Sequence, residues 1–233
     1  MRTKLTALLV TGAALAAGAV AHAAPIPVAT YTFQSQDDVN AFQKVSGTSC
    51  KRKWAGNQAL GIGVGTNTNS CVYRSSVVAD SSAQYADQGM VATVTVGGGS
   101  AKVQNKSFAG VGVRRSDTAG YVLRVLPNAH KWQYFRDPKG AAGPKLVASG
   151  KGKFVKIGSK PNMVSLRAFS NGTTTTSVIG SVNGRGVVST TDSGTDQPDG
   201  GQTVVTAGAK GSGAGTGITG VFDNVTVQVP NPF

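Results

Sequence analysis

The acidic side chains set the first limit on the chemistry open to this chain. All ten are Asp, and there is no Glu. Three of them crowd into "DSGTDQPDGG", as Asp192, Asp196 and Asp199. Glycoside hydrolysis needs two carboxyls close together, one as acid and one as nucleophile or base. This stretch, however, is rich in Gly, Ser and Pro and reads first as a surface loop. A Ser-His-Asp relay would have to use His130, because the other histidine, His22, lies in the N-terminal leader. His130 falls in "LPNAHKW", a turn between two strands. No Gly-x-Ser-x-Gly elbow leading into a helix accompanies it. "GAKGSGAGTG", from Gly208 to Gly217, has the glycines of a phosphate loop, but a strand rather than a helix follows. A hairpin loop is expected there.

One acid stands apart. "GVFDNVTVQV", from Gly220 to Val229, alternates like a strand yet carries Asp223 and Asn224 in its middle. Three roles compete for Asp223: a solvated outer face, a metal ligand or a catalytic acid. Strict alternation puts Val221, Asp223 and Val225 on one face, with Phe222, Asn224 and Thr226 on the other.

Binding chemistry is richer than catalytic chemistry. "GYVLRVLPNAHKWQYFR" reads as a hairpin that offers Arg124, Trp132, Tyr134 and Arg136, and Arg114 ends the strand before it. If the three arginines face outward, they lie side by side on adjacent strands with both rings among them. Rings stack on sugars, and guanidinium groups donate to hydroxyls or carboxylates. Single-stranded nucleic acid uses the same pairing. The competing reading buries Trp132 and Tyr134 between sheets or at a sheet edge. Lys145, Lys151, Lys153, Lys156 and Lys160 form a second basic stretch, which suits a solvated, aggregation-resistant edge.

The elements that must position these groups are strands. Short alternating runs are punctuated by Gly, Asn, Ser and Pro, with turns rather than crossover helices between them. This pattern predicts an all-β, two-sheet antiparallel sandwich. "SQDDVNAFQKV" alone suggests a helix of one or two turns, with Asp37 and Asp38 suited to its positive end and Val39 and Phe42 on one side. No internal repeat or dividing linker appears. Residues 1–23 have basic Arg2 and Lys4, an apolar run and a small-residue Ala21-His22-Ala23 end, which is the layout of a secretory signal peptide. Residues 24–233 are then one domain, exported and not inserted in a membrane. Losing Arg2 and Lys4 lowers the net charge from +13 to +11, which favours anionic partners such as acidic polysaccharide over neutral ones. Export is oxidising, so Cys50 and Cys71 are expected to be joined. Asn105, Asn171 and Asn224 head Asn-x-Ser/Thr triplets, which matter only in a glycosylating host.

Several stretches taken in order carry a resemblance: "YTFQSQDDVNAFQKV", "GVGVRRSDTAGYVLRVLPNAHKWQYFR", "KPNMVSLRAFSNGTTTTSVIGSVNGRGV" and "GSGAGTGITGVFDNVTV". From about Thr30 to Val229 the chain resembles the concanavalin A-like or laminin-G-like jelly roll. Family 16 glycanases and bacterial 3-keto-disaccharide hydrolase-like domains are related to it in form. Phe222-Asp223-Asn224-Val225 is the most specific of these matches. The resemblance implies a curved sandwich whose concave sheet often holds glycan. It also implies a calcium ion that often ties the last strand to the N-terminal segment, with Asp223 as its ligand here. Family 16 glycanases carry a strand motif of two Glu separated by Asp, which this chain lacks. The expectation is a secreted, non-catalytic carbohydrate- or anionic polymer-binding domain. A carbohydrate-active hydrolase and a structural or adhesive surface component are the alternatives.

Overall fold

The computed structural model describes residues 25–55, 58–65, 69–76, 87–116, 119–140, 143–171, 174–198, 200–209 and 217–229. The leader therefore lies outside the described residues, as does the 210–216 part of the Gly208–Gly217 loop. The described elements run β1 (Ile26–Tyr31), α1 (Gln36–Asn40), β2 (Phe42–Ser46), β3 (Cys50–Ala55), β4 (Ala59–Val64), β5 (Ser70–Ser75), β6 (Gln88–Gly98), α2 (Ala101–Gln104), β7 (Ser107–Arg115), β8 (Gly120–Leu126), β9 (Lys131–Asp137), β10 (Lys145–Lys151), β11 (Asn162–Asn171), β12 (Thr175–Val182), β13 (Arg185–Asp192), β14 (Gln202–Ala209) and β15 (Ile218–Val229). Two antiparallel sheets result. One runs β13-β12-β11-β6-β15-β4-β3, with β1 also paired to β15; the other runs β10-β9-β8-β7-β14-β5-β2. The chain changes sheet repeatedly, between β1 and β2, β2 and β3, β4 and β5, β5 and β6, β6 and β7, β10 and β11, β13 and β14, and β14 and β15, which is the wrapping of a jelly roll. No described helix is long and apolar enough to cross a membrane.

Alternation builds the core. Met90, Ala92, Val94 and Val96 of β6 face Ala109, Val111 and Val113 of β7 and Tyr121, Leu123 and Val125 of β8 within one apolar cluster drawn from both sheets. Each fully buried Leu, Val or Phe side chain contributes about 1.5–3 kcal/mol by leaving water. The expected helix is α1. Ser35 caps it by accepting from the Asp38 N–H, and Asp37 and Asp38 occupy its first turn. Phe42 starts β2 rather than continuing the helix. It still reaches the core, where its ring meets Tyr31 edge-on with centroids 4.9 Å apart. Cys50 on β3 and Cys71 on β5 are joined, so the disulfide staples one sheet to the other.

Of the register slips between described strands, two contain a non-glycine residue with positive φ, and these two redirect charged or polar side chains. In β15, Ile218–Phe222 pairs with β4 and Val225–Val229 pairs with β1. The handover falls at Asp223-Asn224, where the register against β6 also slips. Asn224 takes φ 47°, a conformation that Asn tolerates better than most residues. The Asp223 Oδ1 accepts the Asn224 N–H at 2.7 Å. The extra residue reverses the parity: Phe222 is inside, and so are Val225 and Val227. Val225 therefore does not share a face with Asp223, as strict alternation required. In β7 the span from Gly112 to Arg115 lies opposite only Val204 to Gln202, and Arg114 has φ 50°. The freed Arg114 N–H is received by the Gln88 Oε1 at 2.9 Å.

Two outcomes follow from this architecture. Replacing both cysteines by Ala should lower the unfolding free energy by about 3 kcal/mol, read from urea denaturation, because the bond closes a loop of separation 21. Asn224→Gly should leave the melting temperature nearly unchanged. Asn224→Val should cost on the order of 1–2 kcal/mol, because a β-branched side chain resists the left-handed backbone.

Candidate functional site

The five residues expected to form one binding face do not share a face. Register pairs Tyr121 with Arg136, Leu123 with Tyr134, Val125 with Trp132 and Arg124 with Gln133. Trp132, Tyr134 and Arg136 thus point the same way as the inward Tyr121, Leu123 and Val125, and Arg124 points out. Tyr134 is buried and stacks on Tyr121 with ring centroids 6.4 Å apart. Trp132 is half-buried against the core and covers Gly150 of β10, where an added Cβ would come within 2.7 Å of the indole nitrogen. Arg114 is only 1% exposed, because the bulge in β7 turns it inward.

The inward arginines organise a polar end of the sandwich. The Arg114 guanidinium donates to the Thr176 hydroxyl, to the Pro198 carbonyl at 3.0 Å, to the Ser170 hydroxyl at 2.8 Å and to Asp87 at 3.3 Å. Arg136 donates to both Asp192 and Asp196, and the Tyr121 hydroxyl donates to Asp192 at 2.7 Å. The loop expected to lie free on the surface is therefore tied down by this network; Asp199 lies outside the described residues. Burial alone would raise the Asp192 carboxyl, but hydrogen bonds from Arg136 and Tyr121 hold it below the usual carboxylate range. Hydrogen bonds from Arg136 also hold Asp196 low. Burial, and then the bond to Asp192, push the Tyr121 hydroxyl well up. Two carboxylates held ionised around one guanidinium have no proton to lend a leaving group. His130 takes φ 47° in its turn, and its Nδ1 bonds the Val155 carbonyl at 2.8 Å.

The outer face of the seven-stranded sheet holds a different arrangement. The Arg124 guanidinium lies over the Phe108 ring at 4.0 Å and over the Phe135 ring at 4.2 Å, centroid distances that place it between them. Phe108 comes from β7 and Phe135 from β9, so the rings flank β8 from diagonally opposite sides. The Gln133 Oε1 accepts from Arg124 Nε at 3.0 Å and from Nη2 at 2.8 Å. No described carboxylate pairs with this guanidinium. Burial pushes its pKa down to about 10, with no neighbouring charge opposing the shift. A cavity of about 130 Å³ opens there, lined by Arg124, Phe108, Phe135, Val122, Val204 and Arg115 among others. Gly110 of β7 lies beside Arg124 across the ladder. A Cβ on Gly110 would stand 2.7 Å from the Arg124 Cβ and 2.2 Å from the Leu123 carbonyl oxygen, so only Gly lets the arginine lie down here. Arg115, at the end of β7, is paired with Asp137.

A larger cleft, about 530 Å³, lies over the other sheet, lined by Ala55, Ala59, Thr93, Thr95, Val221 and Asp223 among others. It has greater volume and less chemistry: no described ring or cation lines it. Asp223, the expected calcium ligand, lines this cleft with one carboxylate oxygen committed to the bulge. Calcium takes roughly six to eight oxygens, usually from several carboxylates. No three His, Cys, Asp or Glu side chains gather anywhere among the described residues, and the Asp223 carboxylate serves the bulge. The lysine stretch lies on β10, an edge strand, and in the exposed segment after it. Phe108, Gln133 and Phe135 were missed from the sequence. The turn at Leu126–Lys131 holds the signal that finds Gln133 and Phe135, since closing the hairpin there pairs Arg124 with Gln133 and sets its parity.

No family model matches the chain, and no curated protein does. Solved structures do. An endo-1,3-beta-glucanase from Streptomyces sioyaensis superposes with a TM-score of 0.62 at 11% identity, over 89% of this chain and 97% of that one. A Bacillus subtilis protein of unknown function with a galectin-like fold gives 0.57 at 12% identity, over 90% and 99%. The carbohydrate binding module CBM66 from Bacillus subtilis gives 0.55 at 17% identity, over 81% and 95%. The fold is a concanavalin A-like jelly roll. At these identities the likeness concerns the fold alone, and function must be argued from the site.

Two measurements test this account of the ionised groups. Asp192 has a lowered folded pKa, so its contribution to stability is present above the unfolded value of about 3.9 and lost as pH falls through the folded one. Asp192→Asn should therefore lower the melting temperature by several degrees at pH 7, and the gap to the parent should close near pH 2. Thermal melts with EDTA and with added calcium decide the role of Asp223: with its carboxylate serving the bulge alone, the melting temperature should be the same in both.

Proposed function

We propose that the mature chain is a secreted, non-catalytic carbohydrate-binding sandwich that holds an anionic glycan on the outer face of the seven-stranded sheet. Arg124 is the anchor of that face. The observation that carries this reading is a partly buried guanidinium, set between two aromatic rings, with an amide oxygen and no described carboxylate as its partner. A buried charge is costly unless it is paired, and an incoming anion would supply the missing partner. The basic surface would draw such a ligand from a distance. The disulfide suits an exported protein. Structural neighbours include a carbohydrate binding module and the carbohydrate recognition domain of Emp46p, whose names support a sugar ligand. Hydrolysis has less support: the chain has no Glu, and Asp192 and Asp196 clamp a single guanidinium. Nucleic acid also has less support, since Phe108 and Phe135 already stack on Arg124 and offer no free ring pair to bases.

The test is a glycan array probed with the leaderless protein, followed by titration of the hits. Arg124→Ala should weaken binding by about ten-fold or more and flatten its dependence on salt. Trp132→Ala should leave affinity unchanged, because its ring lies on the inner side of the sheet. Absence of binding to every glycan on the array would remove the proposal.

A further inference from the structure

The way Arg124 is boxed in constrains the shape of the group it can receive. Gln133 Oε1 already occupies the Nε–Nη2 edge of the guanidinium. Phe108 and Phe135 lie against it from opposite sides at 4.0 and 4.2 Å. What remains open is the outer edge, between Nη1 and Nη2. A planar carboxylate meets such an edge with two oxygens in the guanidinium plane, in the paired geometry that makes these hydrogen bonds strong. A sulfate or phosphate is tetrahedral. With two oxygens in that plane, its other oxygens project above and below it, towards the flanking rings. Aromatic faces are negative and repel them. The volume agrees, since about 130 Å³ admits one small group rather than a length of polymer.

We infer that the face selects a carboxylated sugar, such as a uronic acid, over a sulfated one, with the carboxylate held edge-on by Arg124 in the slot between Phe108 and Phe135. This rests on the glycan-binding reading and adds the chemical identity of the recognised group. Arg115 lines the same cavity but is paired with Asp137, and Gln133 is committed to Arg124. Of the two guanidinium groups that line the cavity, Arg124 is the one that no described carboxylate neutralises. Selectivity therefore follows from slot shape rather than from the number of charges.

The experiment compares four polymers against the unmodified leaderless protein by titration calorimetry at fixed salt: polygalacturonate, the same polymer with its carboxyls reduced to alcohols, dextran sulfate and poly-L-glutamate. Polygalacturonate should bind at least about ten-fold more tightly than each of the others. Arg124→Lys keeps the charge but lacks the planar edge. It should erase the preference over dextran sulfate, with folding checked by its melting temperature. Dextran sulfate binding as tightly as polygalacturonate would overturn the inference, since charge alone would then decide. Equal binding of the reduced polymer would overturn it while leaving the glycan reading intact. Equal binding of poly-L-glutamate would reassign the slot to acidic peptide. Failure of all four, beside positive glycan-array hits, would overturn this inference alone; failure of the array as well would remove both.

Discussion

An extended strand sends successive side chains to opposite faces, and only an inserted residue reverses that order. The placement of charge in this protein depends on where the chain makes such insertions. In β7 the bulge at Arg114 takes a residue that would have stood on the outer face and turns it between the sheets. In β15 the bulge at Asp223-Asn224 lets one strand serve two partners along the same edge, β4 and then β1. Both use a non-glycine residue at positive φ, and both satisfy the disturbed backbone locally: Gln88 receives the Arg114 N–H, and Asp223 receives the Asn224 N–H.

The arginines that result differ in one respect that matters physically. Arg114 is buried, and hydroxyl, carbonyl and carboxylate oxygens surround it. Arg136 is held by two carboxylates. In both cases the cost of removing a guanidinium from water is offset inside the protein, and the two groups weld the end of the sandwich where the apolar core gives out. Arg124 is also largely withdrawn from water, yet a neutral amide and two rings are its compensation. Cation–π contacts and one amide oxygen recover part of that cost, not the whole of what an anion would recover. Completeness of pairing thus separates the arginines that hold the fold from the one that can receive a ligand.

Much of the architecture was legible in the sequence because β structure advertises itself by a short period. The antiparallel sandwich and the short helix near Asp38 came from local patterns, and the Cys50–Cys71 bond from the oxidising compartment that export implies. The site was less legible, because faces depend on register and register depends on turns and bulges. Trp132, Tyr134 and Arg136 were correctly placed together, opposite Gln133 and Phe135. Arg124 was joined to the wrong set, because its side of the sheet follows only from the strand pairing across Leu126–Lys131. Arg114 could not have been placed by parity at all, since nothing in "GVGVRRS" marks where the extra residue falls.

A glycine floor completes the dependence of the site on backbone geometry. Gly110 and Gly112 sit on the outward side of β7, beside Arg124 and Val122 on β8. A Cβ at Gly112 would press within 2.8 Å of a Val204 methyl and 2.9 Å of the Tyr121 carbonyl oxygen. The two positions keep the strand low between its neighbours, so the Arg124 side chain can cross it to Phe108, whose ring tip lies over Gly208 of β14. Side chains at these positions would lift Arg124 off the sheet into solvent. There it would be an ordinary hydrated cation, competing weakly for any anion and choosing poorly among them. Selectivity at this face rests on withdrawing one charge from water while leaving a single edge of it open.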